Sequence, residues 1–148
     1  MKPTFLFFLA LISLTAYSQT RKSDVEFRDR AKPGGPPFSG AVRVDNMLYL
    51  SGQVGVDPAT GKLVEGGIEA EAKQTLQNIK AALERNGTSL ENVVKCTVFL
   101  ADIKEWPRLN EVYKTFFHDP YPARSAVAGS GLALGARVEI ECIAVMSK

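Results

Sequence analysis

Between Glu69 and Arg85 the apolar residues Ala72, Leu76, Ile79 and Leu83 recur at steps of four, three and four, the stripe of an amphipathic helix with one face to bury. Asn86-Gly87 then supplies residues that tolerate the left-handed backbone on which helices stop. Such a helix needs a surface to cover, and the segments around it read as strands. Upstream, Gly40 to Val44, a turn at Asp45-Asn46 and the run Met47 to Leu50 predict a hairpin. Downstream, Val93 to Leu100 is rich in β-branched residues and reads as a buried strand. A second helix enters through Trp106-Pro107, since proline suits a first helical turn. Its stripe of Trp106, Leu109, Tyr113, Phe116 and Phe117 reads as core. Two more strands, about Ser125 to Gly129 and Ala136 to Met146, are joined by a loop of small residues. This order predicts an α+β fold, a mixed sheet with two helices on one face.

A chain of 148 residues with 45% hydrophobic content fills one core but hardly two. Its formal net charge of +2 is scattered, with no cluster of Lys and Arg interleaved with aromatics, which argues against nucleic acid as a partner. His118 is the single histidine, so neither a Ser-His-Asp nor a Cys-His arrangement can be completed elsewhere, and it reads as a solvated helix end. Metal-ligand spacing is absent and no cofactor is expected. Cys96 and Cys142 each lie within an apolar strand and read as small core hydrophobes. Were those strands neighbours a disulfide would be conceivable, although strand cysteines seldom meet its geometry.

The N-terminal residues form a separate unit. Lys2 precedes the uncharged apolar stretch Phe5 to Ala16, and Ala16-Tyr17-Ser18 offers small residues where a signal peptidase reads. Residues 1–18 are therefore expected to be a secretory signal peptide, giving a periplasmic or extracellular protein that begins near Gln19. The stretch is shorter than the roughly 20 residues that span a hydrocarbon core, and no cysteine stands at the junction to carry a lipid anchor. Residues 19–35, charged and ending in Pro33-Gly34-Gly35, read as a flexible lead-in to a domain over 36–148.

Near the C-terminus one arginine and two carboxylates fall on segments that otherwise read as core. Arg124 follows Tyr121-Pro122-Ala123, and Glu139 and Glu141 share one face of a strand whose other face carries Val138, Ile140, Cys142 and Ala144. Two readings fit. One is a structural ion pair between Arg124 and a glutamate. The other is a site in which Arg124 grips an anionic substrate through two parallel hydrogen bonds and Glu139 does proton chemistry.

These residues sit inside a longer pattern: Leu50-Ser51-Gly52-Gln53, Asp57-Pro58-Ala59-Thr60-Gly61, Leu76-Gln77-Asn78-Ile79, Val94 to Leu100, Asn110-Glu111-Val112-Tyr113 and Pro122-Ala123-Arg124-Ser125. Together, from about Pro36 to Met146, they resemble the Rid (YjgF-type) family of reactive-intermediate deaminases. The resemblance implies a chorismate-mutase-like fold, a homotrimer with sites in the clefts between subunits, and hydrolysis of small 2-imino or enamine acids to 2-keto acids and ammonia without a cofactor. It implies that Arg124 binds the substrate carboxylate and that Glu139, rather than Glu141, activates the water. Ser51 and Asn110 match positions lining the family's pocket. Read from the residues alone, Ser51 ties a strand end and Asn110 ties backbone segments together. The chain departs from the family's pattern at Phe38, where many members carry tyrosine, and at Ala126, often cysteine, whose backbone carbonyl is retained as a water-holding group. The loop Leu132 to Gly135 also lacks the usual proline. The alternative of another class is a trimeric module that binds small carboxylates or proteins without turnover. A ribonuclease reading is opposed by the near-neutral charge and the single histidine.

Overall fold

The computed structural model describes residues 23–147. Its first element corrects the flexible lead-in expected over 19–35, because β1 (Val25–Arg30) is an edge strand paired antiparallel with β2 (Ser39–Val44). Val25 and Phe27 alternate with Glu26 and Arg28, a period of two concealed by the density of charge. Arg28 and Arg43 both reach Glu26, and Arg28 also donates to the Asn86 carbonyl at 3.2 Å, which ties this strand to the far end of a helix. The signal-peptide reading of residues 1–18 lies outside the described residues.

The expected hairpin is formed by β2 and β3 (Met47–Leu50), closed by Asp45 at φ 52°. Short strands β4 (Gln53–Val54), β5 (Val56–Asp57) and β6 (Lys62–Leu63) follow. Helix α1 (Gly67–Arg85) carries the stripe read from the sequence, with Ala72, Leu76, Ile79 and Leu83 all buried. Then come β7 (Val93–Leu100), α2 (Trp106–Tyr113), β8 (Ala123–Ala128) and β9 (Val138–Val145). The main sheet runs β1-β2-β3-β9-β7-β8, with β4 also on β9. Only β7 and β8 are parallel, as a crossover through a helix permits. The result is the mixed α+β sheet that the sequence order predicts.

One face of the sheet lies under the helices. Leu48, Leu50, Cys96, Val98, Leu100, Val138, Ile140, Cys142 and Ala144 meet α1 and α2 there. Of the aromatic stripe, Leu109, Tyr113 and Phe117 are buried, whereas Trp106 and Phe116 are only partly so. Arg137, just before β9, bonds the buried Glu105 at the start of α2 through Nη2 at 2.6 Å. Its backbone N–H donates to Glu71 of α1 at 2.8 Å. This charged clasp sets the start of β9 against both helices.

No described helix covers the opposite face. The register lines up Phe27, Val42, Tyr49, Ile143 and Lys95 in one row and Val25, Val44, Met47 and Val145 in the next. Phe27 is 63% exposed and Tyr49 44%, a large apolar area for a lone chain to leave in water. No described helix is long and apolar enough to cross a membrane.

Candidate active site

Arg124 stands on β8 opposite Cys96 of β7, so it projects to the helix side of the sheet. There α2 presents Trp106, Asn110 and Tyr113, spaced four and three residues apart and therefore on one helical face. Arg124 Nη2 donates to Asn110 Oδ1 at 2.8 Å, and Cζ lies 4.5 Å from the Tyr113 ring centroid and 5.0 Å from that of Trp106. Two π faces and one amide thus fix the guanidinium plane. No ion pair among the described residues involves Arg124. The structural Arg124–glutamate pair is therefore not found, and a clamped cation is left with donors to spare. It borders a cleft of about 360 Å³ lined by Asn110, Tyr113, Lys114, Tyr121 and Pro122, of a size for a small molecule. The Tyr113 hydroxyl is buried without a hydrogen-bond partner. Burial first, and then the adjacent Cys96 thiol, push that phenol far above its ordinary range, so it stays a neutral floor under the guanidinium.

Glu139 lies elsewhere. It pairs in register with Phe99 of β7 and Val54 of β4, and it is an odd number of residues from Cys142, the partner of Cys96. Within one chain, therefore, Glu139 occupies the face of the sheet opposite to Arg124. Its carboxylate rests on the backbone of Gly52, where any added Cβ would collide with Oε1. Glycine in the Ser51-Gly52-Gln53 turn is thus a condition of the carboxylate's position. Glu141, on the same face opposite Thr97, is exposed and is not held in this way.

The remaining residues divide between the two places. Ser51 Oγ donates to the Ser39 carbonyl at 2.7 Å and Ser51 N–H to that of Gly40 at 3.0 Å, tying β2 to the turn after β3 as its local reading predicts. Phe38 immediately precedes this tie and is 60% exposed. Ala126 is partly buried, two residues beyond Arg124 on the helix side. Asn110 does not tie backbone segments through its side chain; it orients Arg124. Phe38, Ser51 and Glu139 therefore form one group, and Asn110, Arg124 and Ala126 another. Sequence reading missed Trp106 and Tyr113 as ring partners of Arg124, although their spacing about Asn110 carried the signal. It also missed the dependence of Glu139 on Gly52. His118 is exposed, as expected, and no cluster of metal-ligating side chains occurs among the described residues.

Residues 30–146 match the family described as Endoribonuclease L-PSP. A mouse (Mus musculus) protein named 2-iminobutanoate/2-iminopropanoate deaminase is 51% identical over 109 residues, 74% of this chain and 81% of its own. The human (Homo sapiens) protein of that name is 48% identical over 109 residues, 74% and 80% of the two chains. Among solved structures, RidA from the Antarctic bacterium Psychrobacter sp. PAMC 21119 gives a TM-score of 0.73 at 46% identity, covering 75% of this chain and 89% of that one. E. coli TdcF with bound serine gives 0.71 at 37% identity, covering 76% and 91%.

Proposed function

The chain belongs to the endoribonuclease L-PSP family, the Rid (YjgF-type) family that its motifs resemble, and from that premise we propose that it hydrolyses small 2-imino acids to 2-keto acids and ammonia. The observation that carries the reading is Arg124, fixed by two rings and an amide yet facing no carboxylate. A 2-imino acid offers a carboxylate for that guanidinium and, one bond away, an electrophilic C=N carbon. Water adds across the C=N bond, its oxygen to carbon and a proton to nitrogen, to give a carbinolamine; the hydroxyl then gives up its proton, the nitrogen takes one up, and the C–N bond breaks to release ammonia and leave the keto group. Glu139 is assigned the water, orienting it and accepting its proton. Because the electrophile is already reactive, positioning supplies most of the acceleration.

With the two groups on opposite faces of one sheet, the site closes only between chains. We assign Asn110, Arg124 and Ala126 of one subunit and Phe38, Ser51 and Glu139 of its neighbour to each cleft. The apolar rows through Phe27, Tyr49 and Ile143 form the contact, in a homotrimer. Phe38 offers an apolar wall and no hydroxyl. A carboxylate-binding module without turnover would use the same arginine and bind keto acids but release no ammonia. The assay is ammonia release from imines generated in situ by an amino-acid oxidase, across a panel of side chains. Binding of the keto acids without acceleration above the oxidase blank would leave only the binding module. Export remains part of the proposal, supported by Lys2, the stretch Phe5 to Ala16 and Ala16-Tyr17-Ser18. Native protein that begins at Met1 and stays in the cytosolic fraction would remove it.

A further inference from the structure

Under the Arg124 clamp lies a feature that hydrolysis does not use. Cys96 and Cys142 are directly opposed partners in the antiparallel pairing of β7 and β9, are 0% and 1% exposed, and bring their Sγ atoms to 2.9 Å. Directly opposed residues of antiparallel strands have Cα atoms about 4.5 or 5.5 Å apart, according to the type of pair. Both values fall within the roughly 4.4–6.8 Å that a disulfide spans. The sulfurs need to approach by about 0.9 Å to bond, a side-chain adjustment that leaves the strands in place. The chain has only these two cysteines, so no competing pairing exists within it.

We propose that Cys96 and Cys142 are an oxidative modification site, a buried dithiol that a small hydroperoxide oxidant converts into a cross-strand disulfide beneath the arginine site. The two sulfurs are not equivalent. The hydrogen bond from Cys142 is the main influence holding the Cys96 thiol below its ordinary range; Tyr113, Arg124 and Lys95 act in the same direction, against burial. Cys142 is pushed well above its range by that same bond and by burial, with Glu141 adding to it. Cys96 also stands in register with Arg124 on the neighbouring strand, which makes it the thiol beside the cationic cleft and assigns it the role of nucleophile. Its thiolate attacks one oxygen of hydrogen peroxide, breaks the O–O bond and becomes a sulfenic acid, while the expelled hydroxide takes a proton and leaves as water. The Cys142 sulfur then displaces the sulfenic hydroxyl, which leaves with the Cys142 proton as a second water. Two thiols lose two hydrogens, and one peroxide becomes two waters.

The test uses the full chain, reduced and then exposed to graded hydrogen peroxide, with thiols alkylated under denaturing conditions before intact-mass measurement. The expected product is a monomer on a non-reducing gel, lighter by two hydrogens, with neither cysteine alkylated and both restored by dithiothreitol. Its thermal midpoint should exceed that of the reduced protein by on the order of 10 °C. Cys142→Ala should stop at a Cys96 sulfenic acid that dimedone traps. If that variant does not fold, the wild-type mass shift decides alone. Two alkylatable thiols surviving peroxide that oxidises free cysteine, oxygen uptake without loss of hydrogens, or disulfide only between chains would each overturn the proposal. None of these outcomes depends on the deaminase reading, because no imine is present.

Discussion

Asn110→Asp tests the arginine grip with one atom changed. Asn110 Oδ1 already accepts from Arg124 Nη2 at 2.8 Å, so aspartate keeps the shape and the hydrogen bond but adds a negative charge. Two unit charges about 4 Å apart attract by about 4 kcal/mol at an effective dielectric constant near 20. The cleft opens to solvent and Arg124 is partly exposed, so screening lowers this to the range of about 1.5–3 kcal/mol for a charged hydrogen bond. A substrate carboxylate must then approach a cation already neutralised. Binding should weaken by roughly 10- to 100-fold, since about 1.4 kcal/mol is tenfold. The loss should appear in KM for an imine and in Kd for 2-ketobutanoate, with kcat little changed, because the substitution weakens the carboxylate grip and leaves the Glu139 contributed by the neighbouring subunit as it is. Calorimetry on the keto acid and steady-state ammonia release read the two quantities. Asn110→Ala, which removes the hydrogen bond without adding charge, should cost less than the aspartate. A folded Asn110→Asp protein with unchanged Kd and KM would refute Arg124 as the carboxylate anchor.

Arg124→Lys keeps the charge but loses the planar fork and the two ring contacts, and kcat/KM should fall on the order of 10²-fold or more; unchanged turnover would return Arg124 to a structural role. Glu139→Gln should retain keto-acid binding and lose turnover, whereas Glu141→Gln, exposed on the same face, should change either much less; equal losses would remove the water assignment from Glu139. Gly52→Ala meets the Glu139 side chain from Cγ to Oε1, so the carboxylate should swing aside with thermal stability shifted by about 1 kcal/mol or less and kcat reduced; wild-type kcat would show that its resting place does not matter. Light scattering should give a trimer for the wild type and smaller species for a Phe27→Asp, Tyr49→Asp double variant, with ammonia release lost in parallel; an active monomer would sink the shared cleft.

The elements were legible where hydrophobic period and punctuation agreed. The stripe of α1, the β-branched run of β7 and the proline at the head of α2 each imposed one local conformation, and a mixed sheet with both helices on one face followed from the faces they had to bury, though not the order of its strands. β1 was misread because Glu26, Arg28, Asp29 and Arg30 resemble a solvated tail, while their pairing with Arg43, Arg85 and Asn86 depends on segments far along the chain. The candidate site residues stand out one by one in the sequence, but their arrangement does not. Strand parity could have shown that Arg124 and Glu139 part company, yet parity across strands needs the register of β8 on β7 and of β7 on β9, which no local spacing encodes.

That parity constrains the assembly. An ionised carboxylate in the middle of an apolar contact would pay a desolvation cost of several kcal/mol with no cation opposite to offset it. The rows through Phe27, Val42, Tyr49 and Ile143, and through Val25, Val44, Met47 and Val145, carry no acidic residue. The acidic positions, Glu141 opposite Thr97 and Glu139 opposite Phe99, lie toward the other end of β9, where Gly52 opens space over the backbone. In the proposed trimer the apolar rows can close tightly while Glu139 stays at the wet rim, within reach of a neighbour's cleft. The same carboxylate moved two pleats along β9, to position 143, would sit beside Tyr49 and opposite Lys95 in the middle of the contact, where an ion pair would hold it away from the cleft and from the water assigned to it. In the proposed trimer, assembly and catalysis would thus make compatible demands on one face of the sheet because they would use opposite ends of it.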